Sequence, residues 1–248
     1  FRIVHEDSKQ RYLTGADFDT EGFQIIGDHF WIGDEFGPYI LKADLSGKIL
    51  AVFETLADGK PVKSPDHWSV QSPGAPGASY SGVNLRRSKG FEGFAASKDG
   101  KDLYALLEGP LWDADSKDWE KRDGQEVARI LEFDVAAEKF TGRFWHYVFE
   151  NNGHAIGDFN MIDATHGLVI ERDDTTEGAG QVCPDAPRVD CFTRPARFKR
   201  IYKIDFKQAD ADGFVKKVAY IDLGKISNPA RRAKLGPNTE DFNLPHLG

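Results

Sequence analysis

Apolar residues in this chain come in short bursts, not in long stripes. Residues 23–26, 30–33, 39–42, 49–53, 103–107, 128–133, 140–149, 168–170, 198–206 and 215–223 are rich in Val, Ile, Leu, Phe, Tyr and Trp. Polar turn formers bound them, as in Ile26-Gly27-Asp28-His29, Leu45-Ser46-Gly47-Lys48 and Ser97-Lys98-Asp99-Gly100-Lys101. Such runs predict strands, and the tight punctuation between them predicts hairpins. Helical periodicity is confined to one place. Ser227 as a cap, Pro229 in a first turn and Gly236 as a stop predict a short helix over residues 230–235. The fold class is therefore all-β.

The bursts recur in a fixed order. Four times an acidic, glycine-flanked step runs into a phenylalanine: Glu21-Gly22-Phe23, Glu92-Gly93-Phe94, Gly157-Asp158-Phe159-Asn160 and Glu240-Asp241-Phe242-Asn243. These phenylalanines lie 71, 65 and 83 residues apart. The first three steps lead into strands that end in a carboxylate, at Asp34-Glu35, Glu108 and Glu171. An outer hairpin follows each. Four short antiparallel strands per period predict the blade of a β-propeller, here with long loop insertions over residues 57–90 and 173–197. The units span residues 14–85, 86–150, 151–235 and 236–248, within one domain. The fourth breaks off soon after it starts, so the sequence reads as an incomplete propeller.

Composition narrows the partners. A net charge of −8 and a pI near 5.4 argue against a nucleic-acid surface. No apolar run is long enough to span a bilayer as a helix. The opening Phe1-Arg2-Ile3 shows no signal peptide and reads as a processed or trimmed start. Cys183 and Cys191, in a loop with Pro184 and Pro187, have the spacing of a local disulfide clip. A clip implies an oxidising compartment, so the expected location is secreted or periplasmic.

Repetition also suggests the chemistry. Stacked units bring equivalent residues together around one axis, and acids gathered there repel one another unless a cation lies between them. Glu21, Glu92 and Glu240 align, with Asp158 one position later in the third unit. Glu35, Glu108 and Glu171 align as strand-terminal acids, and Asp34 precedes the first. These eight are candidate ligands for calcium, which takes oxygen donors. Equally, each can serve as a cap for turn N–H groups. Arg86, Arg87 and Lys89 directly precede Glu92, and Arg172 follows Glu171. Beside metal-binding acids, such cations suit the oxygens of a phosphate ester. Glu92, Glu108 and His154 are candidate acid–base groups. There is no Gly-x-Ser-x-Gly elbow, Walker A loop or dinucleotide fingerprint.

Taken together, Glu21-Gly22-Phe23, Trp31-Ile32-Gly33-Asp34-Glu35-Phe36-Gly37-Pro38, Gly90-Phe91-Glu92-Gly93-Phe94 and Leu103-Tyr104-Ala105-Leu106-Leu107-Glu108-Gly109-Pro110 resemble the phytase-like family. That family is also described as the "esterase-like activity of phytase" domain. The resemblance runs from about residue 14 to the end. It implies a secreted or periplasmic β-propeller and, by analogy, calcium-aided hydrolysis of a small-molecule phosphate ester by metal-activated water. A calcium-dependent lactonase or carboxylesterase, and a binding propeller with a structural ion, are the alternatives.

Overall fold

The computed structural model describes residues 2–5, 8–70, 80–173, 181–182, 191–192, 197–227 and 241–242. Twelve strands form three antiparallel meanders of four. The first sheet holds β1 (Thr20–Ile26), β2 (His29–Asp34), β3 (Tyr39–Asp44) and β4 (Ile49–Glu54). The second holds β5 (Phe91–Ala96), β6 (Asp102–Leu107), β7 (Gln125–Asp134) and β8 (Lys139–Val148), with the short strand Lys121–Arg122 added beside β7. The third holds β9 (Ala155–Met161), β10 (His166–Arg172), β11 (Lys199–Asp205) and β12 (Lys216–Asp222). The chain is thus all-β, with four-stranded antiparallel sheets as the pattern predicts. Among the described residues these three sheets do not close on themselves.

Alternation explains how the sheets pack. Along β6, Leu103, Ala105 and Leu107 face the first sheet and share one core with its Trp31 and Ile40 and with Phe91 of β5. Leu106 turns the other way, into a second core with Ile156, Phe159 and Val169 of the third sheet. Likewise Leu131 and Phe133 of β7 enter the first core, and Ala128 and Ile130 the second. The middle sheet is covered on both faces, and this accounts for its nearly continuous apolar strands. Each large side chain so buried stabilises by roughly 1.5–3 kcal/mol.

The repeated Gly-Phe step is the device that joins sheets. A Cβ at Gly22 would lie 2.5 Å from Cβ of Phe94, and one at Gly93 would lie 2.6 Å from Cβ of Phe159. The glycine of one sheet makes room for the phenylalanine of the next. Phe94 and Phe159 are accordingly buried, whereas the equivalent Phe23 is 60% exposed.

The segment after the first sheet, expected as a long loop insertion, is partly built into the fold. It forms the ribbon Leu56–Ala57 with Lys60–Pro61, and buries Val62, His67, Val70 and Leu85. The predicted helix lies outside the described residues beyond Ser227, which is in the short strand Ile226–Ser227. The predicted Cys183–Cys191 clip and Glu240 also fall outside what is described.

Candidate metal and anion site

Each inner hairpin carries a β-bulge at the repeat position. Between β1 and β2 the register slips around Glu21 and Gly22. Between β5 and β6 the extra residue is Glu92, and between β9 and β10 it is Gly157. A bulge breaks the in-out alternation and re-aims the side chain it carries. Here it acts at the same end of all three hairpins, beside the carboxylates that follow β2 and β6.

Backbone bonds then bring those carboxylates together. Asp19 O accepts from Glu35 N at 2.8 Å, Glu35 O accepts from Gly90 N at 3.1 Å, and Gly90 O accepts from Glu108 N at 2.7 Å. Glu35, Glu92 and Glu108 thereby offer oxygen atoms that all lie within 4.8 Å of one another. Asp19, Glu21 and Glu35 form a second such group that shares Glu35. Lys89 Nζ donates to Glu108 Oε2 at 2.9 Å, and Arg172 Nη2 donates to Oε1 at 3.1 Å. Arg172 Nε is buried without a hydrogen-bond partner. A neighbouring cavity of about 400 Å³ is lined by Glu21, Gln24, Glu92, Asp158 and Asn160 of the three inner strands. Gln24 Nε2 bridges the strands there, donating to Phe94 O at 2.7 Å and Asn160 Oδ1 at 3.2 Å.

Crowding raises the affinity of these acids for protons. Burial, then the hydrogen bond to Glu108 and the charges of Glu108 and Glu92, push Glu35 up to about 9. Burial, then Glu108 and Glu21, push Glu92 up to about 8 against the opposing pull of Arg172 and Lys89. Glu21 is also raised, by burial and then by Asp19. Like charges this close are relieved by a proton or by a cation. Oxygens around one calcium ion lie up to about 5 Å apart across it, so the spacing fits a hard cation. The all-carboxylate donor set fits calcium or magnesium better than zinc.

Four of the predicted acids, Glu21, Glu35, Glu92 and Glu108, thus converge, with Lys89 and Arg172 on Glu108 and Asp158 at the cavity wall. Other candidates are engaged elsewhere. Asp34 accepts from Asp19 N and Gly37 N, both at 2.8 Å, and so fixes the turn that presents Glu35. Burial pushes it up to about 6 in spite of these bonds. Glu171 is fully buried and accepts from Tyr147 Oη (2.7 Å), Glu150 N (2.8 Å) and Lys217 Nζ (2.9 Å), while His154 Nδ1 lies 2.7 Å from Oε1. Burial pushes its carboxyl up, but the bonds from His154 and Tyr147 and the Lys217 ammonium outweigh this and hold it low. Glu171 and His154 are therefore bonded to each other, and Glu171 also to Tyr147 and Lys217, apart from the Glu35, Glu92 and Glu108 cluster. Arg86 pairs with Glu126 at 3.0 Å over the Trp119 ring. Arg87 pairs with Asp66 at 2.5 Å, so neither arginine is spent on the acidic cluster. Asp19, which sequence reasoning missed, lies outside the repeated step. Gln24 follows Phe23 as Asn160 follows Phe159, and that parallel was the signal available for it.

Comparison with known proteins agrees with the family resemblance. The chain matches the family described as "Phytase-like: Esterase-like activity of phytase" over residues 3–246. An uncharacterized secreted protein of Arthroderma benhamiae is 31% identical over 133 residues, which are 48% of this chain and 24% of that protein. The chain thus matches about a quarter of that relative's length. The structure of U3-55K aligns with 77% of this chain and 62% of its own, at 14% identity and a TM-score of 0.26, too low to bear on the fold.

Proposed function

Because the chain belongs to the phytase-like family, we propose that it hydrolyses phosphate esters with the help of a divalent cation, calcium by its donor set. The observation that carries this reading is Glu108. It belongs to a three-carboxylate cluster and is at the same time held by two cations, Lys89 just before β5 and Arg172 at the end of β10. An ion subsite and an anion subsite therefore meet at one residue.

Glu35, Glu92 and Glu108 would hold the ion, with Asp19 and Glu21 beside them. When bound, calcium supplies Lewis acidity and lowers the pKa of water. Lys89 and Arg172 would turn from Glu108 to the phosphate oxygens, Arg172 with an Nε donor still to be used. Gln24, Asn160 and Asp158 would orient the rest of the substrate in the adjoining cavity. We read the three sheets as adjoining blades of a propeller, with inner strands β1, β5 and β9 nearest its axis. Export fits the secreted relative. Among the described residues, no helix is long and apolar enough to cross a membrane.

A carboxylic ester or lactone is the second reading. It is favoured by the diversion of Arg86 and Arg87 to Glu126 and Asp66, which leaves fewer cations for phosphate. Phosphate release from phytate and from a generic phosphomonoester, with and without calcium, tests the first. Calcium-dependent release that drops at least tenfold in Lys89→Met and Arg172→Met is expected. Lactone or acetyl-ester turnover without phosphate release would transfer the assignment to the second reading.

A further inference from the structure

The segment that packs beneath the first sheet builds a second reactive arrangement, separate from the acidic cluster. The His67 side chain is fully buried, with its ring 5.5 Å from that of Tyr39 and 5.9 Å from that of Trp68. Its Nδ1 receives Ser69 N–H at 3.2 Å and lies 2.9 Å from Ser69 Oγ. The backbone donor fixes the tautomer: Nδ1 is the bare acceptor and Nε2 carries the hydrogen. Nε2 has no hydrogen bond and faces Glu54 Oε1 at 3.5 Å. That carboxylate is itself held by Trp68 Nε1. From the other side Lys63 Nζ donates to Ser69 Oγ at 2.8 Å. Burial, and then the charge of Lys63, hold the imidazole down to about 4, so it is an unprotonated base at neutral pH.

A histidine that merely capped this turn would account for the Ser69 N–H bond. It would not require an ammonium on the hydroxyl oxygen, nor a carboxylate behind the ring. Those are the parts that activate a serine: a base on the hydroxyl, a group that orients the base, and a positive charge for the developing alkoxide. Ser69 is only half-buried and so remains within reach of a reagent. On the Glu54 and Trp68 side of this arrangement lies a groove of about 380 Å³ with Phe53, Phe133 and Phe140 in its walls; Ser69 and His67 do not line it.

We propose that Ser69 is a nucleophile toward activated carboxylic esters, with His67 as its base, Lys63 as the charge on its oxygen and Glu54 as a positioning residue. In the first step Ser69 Oγ bonds to the acyl carbon and the ester C–O bond breaks. The Ser69 proton passes to His67 Nδ1 and then to the departing alkoxide, which leaves as the alcohol. Water then adds to the acyl-serine, the carboxylic acid is released, and the proton returns to Ser69.

The test is a fluorophosphonate probe on the full chain, with the adduct located by peptide mass spectrometry, alongside hydrolysis of p-nitrophenyl acetate. One adduct per chain on Ser69 is expected, unaffected by chelator. Labelling and ester turnover should fall at least tenfold in Lys63→Met and in His67→Gln, with the melting temperature of Lys63→Met unchanged. Absence of a Ser69 adduct above the level of the other serines overturns the proposal, as does labelling of Lys63→Met at the parent rate. Chelator insensitivity keeps this result distinct from success or failure of the calcium-dependent phosphoesterase reading.

Discussion

Glu92→Gln removes one charge from the acidic cluster while keeping its shape. Oxygens of Glu35, Glu92 and Glu108 lie within 4.8 Å of one another. At an effective dielectric constant of about 20, a fully ionised pair at that distance repels by about 3.5 kcal/mol. Lys89 and Arg172 neutralise part of Glu108, and Glu92 is partly exposed, so roughly 2 kcal/mol remains after screening. The pH dependence follows from the direction of the shift. Glu92 is raised from 4.5 to about 8, so between these values the native state keeps a proton that the unfolded chain has lost. The stability this provides is complete below about 4.5 and is lost as pH rises through about 8. In chelator, Glu92→Gln should match the parent near pH 4 and melt about 4–8 °C higher at pH 9, using about 2–4 °C per kcal/mol. Calcium should raise the parent's melting temperature at pH 9 and do little for the variant. Calorimetric scans at both pH values are sufficient. A variant that melts at or below the parent at pH 9 in chelator would refute the crowded-acid reasoning.

Other substitutions probe the packing and the assignment of the cations. Gly93→Ala sets a Cβ 2.6 Å from that of Phe159 and should cost about 1–3 kcal/mol in thermal unfolding, whereas Gly15→Ala, with nothing within 4 Å, serves as a near-neutral control. Glu171→Gln removes the charge that holds Lys217, Tyr147 and His154, and should lower the denaturant midpoint by about 3 kcal/mol equivalent with an unchanged slope. Arg86→Met should leave hydrolysis within about twofold of the parent, since its partners are Glu126 and Trp119; a loss as large as that of Lys89→Met would return it to the anion subsite.

The hairpins were legible because burial on one or both faces imposes short apolar runs, and turns such as Gly27 and Gly47, with φ of +58° and +86°, demand glycine. The convergence of Glu35, Glu92 and Glu108 was legible from repetition. The bulges that aim Glu92 and displace Gly157 were not, because a single extra residue in a strand leaves the apolar pattern almost unchanged. Alignment also gave no sign of the partners of Glu171. It occupies the same strand end as Glu108, yet its neighbours Tyr147 and Lys217 come from β8 and β12, and only tertiary structure brings them in. Arg86 and Arg87 share that difficulty, since their partners lie 40 and 21 residues away.

The glycine-to-phenylalanine contact between sheets has a direction. One side of each joint contributes a hollow and the other a ring, so two copies of the same side have nothing to offer each other. Interfaces of this head-to-tail kind propagate, and they end either by closing on themselves or by meeting a unit that breaks the rule. In the third sheet the position equivalent to Gly93 is Asp158, half-buried at the cavity wall, where a carboxylate stands in the place of the hollow. The residue that interrupts the glycine series is thus also one that lends the cavity its charge. At that point in the repeat, a position used elsewhere for assembly is held by a carboxylate that faces the cavity.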